Sequence, residues 1–226
     1  MITVHHLNNS RSQRILWMLE ELGVDYEIKK YQRNTETQLA PENLKQIHPL
    51  GKSPVITDNG ENNLLTIAES GAIIDYLGLK YSKNDLRPDE DSPSYLDYNY
   101  WLHYSEGSVM PPLLLRLIFE RIKTSPMPFF AKPIARGIAN KVLDSFVMPN
   151  IKNNTDFIEN HLSNQQWSAG DEMTGADIQM SFPLEASVAR GLIDDNYPNI
   201  QAYVKNIHAR PAYQRGLEKG GQYDYA

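Results

Sequence analysis

The sequence predicts a fold in two parts, a small mixed α/β unit followed by an all-helical one. Three observations predict it. Within residues 1–81, short apolar runs of strand character alternate with runs at helical spacing. A polar, proline-containing stretch follows, SKNDLRPDEDSP at residues 82–93, and reads as a linker. Beyond it strand signals all but vanish, and residues 94–226 read as helices.

Each element has a local reason. Ile2–His6 reads as a strand and Asn8-Asn9-Ser10 as a turn. Ile15, Leu16, Met18, Leu19 and Leu22 then fall on helical spacing, and Gly23 ends the run. Tyr26–Tyr31 reads as a second strand, with Ile28 between polar neighbours; a short helix is expected near Pro41–Gln46. Val55-Ile56 and Leu64–Ile67 are two further strands, joined through Asp58-Asn59-Gly60, and a helix opens at Ser70 and runs to about Tyr81. The first strand–helix–strand unit predicts a parallel pair, and the Asn-Gly turn an antiparallel one. In the second part, Ser94–Lys123 is helical, with Pro111-Pro112 expected to kink or break it. Helices are also expected over Pro128–Leu162, with Pro133 and Pro149 blurring its limits, and over Ala176–Arg190, Pro198–Ala209 and Ala212–Lys219.

With 226 residues, 41% of them hydrophobic, the chain can bury a real core and does not read as disordered. The net charge is −6, and no basic stretch stands against it: residues 1–78 carry 7 basic and 10 acidic side chains, the remainder 15 and 18. Nucleic acid is therefore not the expected partner. The absence of cysteine excludes disulfides, thiolate metal sites and a cysteine nucleophile, and is compatible with the cytoplasm. The N-terminal residues lack the pattern of a signal peptide, and no apolar run is long enough to predict a membrane span.

The stretch from His48 to Leu77 carries most of the functional information. It reads HPLGKSPVI, DNGENNLLTI, AESGAIIDYL. The layout sets a backbone edge near Pro54 beside the unpaired N–H groups of a helix starting at Ser70, a combination suited to a peptide-like ligand with carboxylates. Gly51-Lys52-Ser53 is not a phosphate loop, because Gln46 stands where a glycine is required and Pro54 follows directly. Thr174-Gly175-Ala176-Asp177 reads as a capping box with a structural role, and Ser10-x-x-Gln13 has the same form. His103 and Glu106 lie three apart on one helix, and two ligands do not make a metal site. No metal is expected.

Four segments, NSRSQRILWMLEELGVDYE, HPLGKSPVI, ESGAIIDYL and AGDEMTGADI, stand in this order and together span nearly the whole chain. In that order they resemble a cytosolic glutathione S-transferase of the serine type, in a bacterial- or fungal-like branch. The resemblance implies a thioredoxin-like N-terminal domain, an all-helical C-terminal domain, a cytoplasmic homodimer, and glutathione as co-substrate. It implies that Ser10, four positions before Arg14, donates a hydrogen bond to the glutathione sulfur. Ser12 as the donor, and pure capping by Ser10, stay open beside that role. Glu69 would pair with the γ-glutamyl ammonium and Ser70 with its carboxylate. The backbone of Ser53, beside a cis Pro54, would pair with the cysteinyl unit, and Lys52 would meet the glycyl carboxylate. Serine departs here from the apolar residue that many relatives carry before this proline. Tyr104, Ser105 and Met110, on the helix rich in aromatics, are expected to line the acceptor pocket. No tyrosine lies between Met1 and Leu22, so the tyrosine-type mechanism does not apply.

The energetics of a serine suffice. Lowering a thiol from about 8.5 to about 6.5 takes about 2.7 kcal/mol. One hydrogen bond to a charged group supplies about 1.5–3 kcal/mol and a helix N-terminus about 0.3–1 kcal/mol. The expected reaction is attack of the thiolate on a hydrophobic electrophile, with peroxide reduction by the same thiolate as a companion activity. A non-catalytic ligand-binding or regulatory protein on the same scaffold is the alternative reading.

Overall fold

The computed structural model describes residues 1–60, 64–81 and 86–226; the first four residues of the expected linker, 82–85, lie outside the described residues. Four strands form one sheet: β1 (Ile2–Leu7), β2 (Tyr26–Tyr31), β3 (Val55–Asn59) and β4 (Leu64–Ala68). Their order is β2-β1-β3-β4. β1 runs parallel to β2, with Val4 opposite Ile28, and antiparallel to β3, with Val4 opposite Ile56. β3 and β4 are antiparallel, Ile56 facing Ile67. The two central strands are almost wholly buried, whereas edge strand β4 exposes Leu64 and Leu65.

Helix α1 (Ser12–Leu22) makes the crossover connection that a parallel pair requires. It ends where Gly23 takes φ 62°, a left-handed conformation that costs glycine nothing. Ten of its eleven residues are buried, because it is enclosed on several sides. Helix α2 (Ser70–Tyr81) packs beside it. The remaining helices are α3 (Pro93–Tyr104), α4 (Met110–Thr124), α5 (Lys132–Val142), α6 (Met148–Leu162), α7 (Gly175–Ala189), α8 (Pro198–His208) and α9 (Pro211–Gly220). The resulting architecture is a four-stranded mixed sheet with its helices, followed by a helical domain.

The prolines do not break the long helices. α3 runs into α4 through a wide turn at Ser105–Val109, where the Met110 N–H donates to Ser105 O, five residues back. α5 passes into α6 through the same kind of turn at Leu143–Val147, with Met148 N–H donating to Leu143 O. Each wide turn sits directly before a proline segment, Met110-Pro111-Pro112 and Met148-Pro149. A proline cannot donate to the carbonyl four residues back, and its ring collides there; a π turn relieves both. The path stays helical where a kink or a break was expected.

α9 lies tightly on α1. A methyl group on Gly216 would come within 3.2 Å of the Trp17 backbone, and one on Gly220 within 2.9 Å of Leu16. The Trp17 indole meets the Tyr213 ring edge-on at 5.4 Å. Glu20 takes Arg215 at 2.8 Å and Lys219 at 2.5 Å, and Glu21 takes Arg210 at 2.6 Å. α7 is buried on all sides through Ser187 and opens with the capping box expected from sequence. Asp177, fully buried, accepts from the Thr174 N–H at 2.7 Å, the Ser168 N–H at 2.7 Å and the Tyr203 hydroxyl at 2.7 Å.

Candidate functional site

The site begins where β1 turns into α1. Asn9 takes φ 48°, tolerable for asparagine, and brings Ser10 to the helix mouth. The Ser10 hydroxyl accepts from the Ser12 N–H at 3.2 Å, and its carbonyl accepts from the Gln13 N–H at 3.2 Å. Gln13 does not reach back to close a capping box. It is 2% exposed and directed at Gly220, with its Nε2 unpaired among the described residues. Packing under α9 has overridden the local motif.

Three polar groups line up behind Ser10. Its Oγ is 2.8 Å from Ser12 Oγ, which is 2.9 Å from His6 Nδ1 and also accepts from the Leu7 N–H at 3.2 Å. Ser12 is fully buried and Ser10 is 4% exposed, so Ser10 is the outer member of the pair. Burial, with the charge of Lys30 adding to it, pushes the His6 pKa down to about 4. The neutral ring gives stability a pH dependence. The unfolded chain takes up this proton near pH 6.5 and the folded one only near pH 4, so the contribution is whole above pH 6.5 and is lost as pH falls between those values. The expected loss assigned to His6 is about 2 kcal/mol between pH 7 and pH 5. Urea unfolding at both pH values, in the native chain and in His6→Gln, checks it: the variant should lose correspondingly less.

The facing wall comes from the loop before β3. The Ser53–Pro54 peptide bond is cis. Ser53 Oγ donates to the His5 carbonyl at 3.1 Å and lies 3.5 Å from Ser10 Oγ, which ties this loop to the end of β1. At the end of β4, Glu69 takes φ 71°, a conformation that costs a non-glycine residue about 1 kcal/mol or more. Its carbonyl accepts the first helical bond, from the Ile73 N–H at 3.0 Å. This leaves the first N–H groups of α2 without helical partners, and Ser70 is buried among them. A single cavity is bordered by Lys52, Ser53, Pro54, Glu69 and Ser70, so the structure brings together five residues singled out from sequence. Ser10 stands one hydroxyl behind this wall, in contact with Ser53.

Arg11 was not singled out from sequence, and Arg14 and Glu106, though noted there, were not assigned to this site. Arg11 borders the cavity together with Glu106, which reaches in from the wide turn after α3. Glu106 Oε1 receives Arg11 Nε at 2.9 Å and Arg14 Nη2 at 2.6 Å. Arg14 is 1% exposed and also donates to the Gln179 carbonyl. Burial opposes ionisation of Glu106, but the two guanidiniums outweigh it and hold its pKa below the usual range. The available signal was a pair of cations in the first turn of a helix, where the dipole disfavours them and a distant carboxylate must compensate. Glu106 therefore serves arginines and not a shared site with His103. Among the described residues, no three His, Asp or Glu side chains are grouped so as to hold a metal ion.

A second cavity, of about 420 Å³, opens on the other side of Arg11. Its floor is apolar: Met110, Leu113, Leu114 and Leu117 from α4, and Phe182 from α7. The Arg11 guanidinium carbon lies 5.2 Å from the Phe182 ring centre and borders both cavities. Of the three residues expected at an acceptor pocket, Met110 borders this one. Tyr104 instead packs on Trp101, Tyr100 and Phe157 and donates to Asn154 at 2.5 Å. Ser105 is fully buried and donates to the Gln179 carbonyl at 2.9 Å. Tyr98 and Trp101 of the aromatic stripe are core, Tyr104 is half-buried and Tyr100 exposed, and the leucines of the apolar floor lie about two to four turns beyond Tyr104.

The fold and the paired cavities define a class. Residues 1–79 match the family model for the glutathione S-transferase N-terminal domain, and residues 135–211 that for the glutathione S-transferase C-terminal domain; this chain belongs to that family. It is 36% identical over 223 residues to glutathione S-transferase 1 of Saccharomyces cerevisiae, covering 97% of this chain and 95% of that one. It is 37% identical over 219 residues to glutathione S-transferase 3 of Schizosaccharomyces pombe, covering 97% and 88%. A glutathione S-transferase crystal structure from Actinobacillus pleuropneumoniae, 35% identical, superposes with a TM-score of 0.79 and covers 100% of this chain and 95% of that one.

Proposed function

We propose that the chain is a glutathione transferase that ionises the glutathione thiol through Ser10 and delivers the thiolate to an electrophile held in the second cavity. The observation that carries this reading is the placement of the Ser10 hydroxyl at the mouth of α1, 3.5 Å from Ser53 on the wall shared with Glu69 and Ser70. The side chains present fit the tripeptide. Glu69 is an anion for its ammonium group. Ser70, at the start of α2, and Lys52 answer its two carboxylates. The Ser53 backbone answers its central peptide. With a chlorinated aromatic, the sulfur forms a bond to the carbon bearing chlorine and chloride departs. With an organic hydroperoxide, the thiolate attacks the terminal oxygen, the O–O bond breaks and the alcohol leaves after taking up a proton; a second glutathione thiol then attacks the resulting sulfenic sulfur, releasing water and giving the disulfide.

The same reading divides the chain into a glutathione-binding domain at 1–81, a linker at 82–93 and a helical domain at 94–226, acting as a cytoplasmic homodimer without nucleic-acid or membrane partners. No helix among the described residues is long and apolar enough to cross a membrane, and the membership in the transferase family supports the rest. The test is direct. Thiolate absorbance in the ultraviolet, followed against pH with glutathione bound, should titrate near pH 6.5, about two units below the free thiol. Turnover of a chlorodinitrobenzene should follow the same curve. Glutathione binding without turnover, across several electrophiles, would replace the enzyme by a carrier.

A further inference from the structure

The second cavity has an apolar floor and a cationic rim. Arg33, Arg121 and Arg190 border it along with Arg11. Only Arg11 has a carboxylate partner: among the described residues, no Asp or Glu lies within ion-pair distance of the other three. Arg33 spends its donors on three carbonyls, Asn8 at 3.2 Å, Asn9 at 3.2 Å and Gln38 at 3.0 Å, so its full charge is fixed in place without being neutralised. Arg190 donates to the Tyr225 hydroxyl at 3.0 Å, again a neutral partner. Arg121 projects from α4, beyond the leucines of the floor. The one carboxylate on this rim, Asp224, is held by the Asn9 amide at 2.7 Å and the Gln222 amide at 3.0 Å, and is turned to neither Arg33 nor Arg190. A chain of net charge −6 thus gathers three guanidiniums without a carboxylate partner, beside the Arg11–Glu106 pair and the single carboxylate of Asp224, around one apolar floor. Like charges assembled in this way repel, and an anion set between them relieves the repulsion.

We propose that the electrophile accepted here carries its own negative charge: an apolar body with a carboxylate at the end remote from the reacting carbon. The body lies on Leu113, Leu117 and Phe182, the reacting carbon points past Arg11 toward the thiol, and the carboxylate meets Arg121 and Arg190. This rests on the transferase reading given above and adds the substrate class to it.

A matched pair of substrates tests it. 4-Chloro-3,5-dinitrobenzoate and its methyl ester lose chloride by the same substitution and differ in one charge. Their kcat/KM values, each divided by the uncatalysed rate, give an acid-to-ester ratio. The native chain should favour the acid. The double variant Arg121→Gln/Arg190→Gln should lower the ratio about three- to tenfold at low salt, and Arg121→Lys/Arg190→Lys should retain it. The native preference should shrink in about 0.5 M salt. A ratio that the glutamine variant leaves unchanged, or that the lysine variant lowers equally, overturns the proposal. If neither compound is conjugated, the transferase reading falls by itself. Displacement of bound 8-anilinonaphthalene-1-sulfonate by acid and by ester, in the same three proteins, then decides the charge preference: the same pattern supports it, and equal displacement throughout overturns it.

Discussion

Ser10→Ala should leave glutathione bound and move the acid limb of the reaction upward by about one to two pH units, the equivalent of the 1.5–3 kcal/mol that a hydrogen bond to a charged acceptor contributes. The rate consequence is smaller than the loss of thiolate. At pH 6 a shift from about 6.5 to about 8 lowers the ionised fraction roughly 25-fold, but a more basic thiolate is a better nucleophile, with a Brønsted slope of about 0.4–0.5, which returns roughly fivefold. The net loss in kcat/KM is therefore about fivefold from ionisation alone, and more if the hydroxyl also holds the sulfur in line. By the same arithmetic the loss should vanish near about pH 7.4 and turn into an advantage of roughly fourfold at pH 9. Ser12→Ala is the companion measurement. Ser12 is fully buried between Ser10 and His6, so its loss should act through the position of Ser10 and give a smaller shift in the thiol titration. A larger shift in Ser12→Ala than in Ser10→Ala would transfer the donor role to Ser12.

Asp177→Ala should be the most destabilising single change among the polar residues. Its carboxylate accepts from two buried N–H groups, of Thr174 and Ser168, and from the Tyr203 hydroxyl. Each of the two N–H groups left without a partner, one of them the reciprocal half of the α7 capping box, costs about 1–3 kcal/mol, so about 2–6 kcal/mol is expected. For a chain of this size that lowers Tm by roughly 10 °C, a large part of the stability of an ordinary domain. Asp177→Asn keeps the volume but turns one acceptor into a donor facing an N–H, and should fall between the two. Calorimetry of the three proteins checks the order. Activity per folded molecule at low temperature should be unchanged, which separates this residue from Ser10.

The parts of the fold that were legible in sequence are those with a local cause. The period of Ile15, Leu16, Met18 and Leu22 specifies α1 and the glycine after Leu22 specifies its end; the antiparallel β3–β4 pair is formed as well, but Asp58 and Asn59, expected in the turn, lie inside β3 opposite Leu65 and Leu64. The capping box at Thr174 is local too, and it is formed. Ser10-x-x-Gln13 has the same letters, yet Gln13 is drawn under α9, some 200 residues later in sequence, and no local rule registers that. The ion pair of Arg11 with Glu106 joins residues 95 apart. Trp101 and Tyr104 carry enough apolar surface for either a core or a pocket, and only their packing on Phe157 of α6 turns them away from the cavity, with Trp101 buried, Tyr104 half-buried and Tyr100 left exposed. The prolines at 111, 112 and 149 announce a disturbance without stating its form; a widened turn and a break begin from the same residue. Glu69 and Ser70 were legible because a helix start beside a strand edge has few other uses, whereas the unusual backbone of Glu69 belongs to the folded chain alone.

The contact of α1 with α9 has a consequence for how this molecule can be divided. The segment bearing Ser10 is gripped by two glycines that admit it closely and by charged side chains from the last twentieth of the sequence. The sheet unit is thus no detachable cassette: its Ser10 corner is braced by the chain's tail, and shortening that tail should shift a residue encoded at the opposite end of the polypeptide.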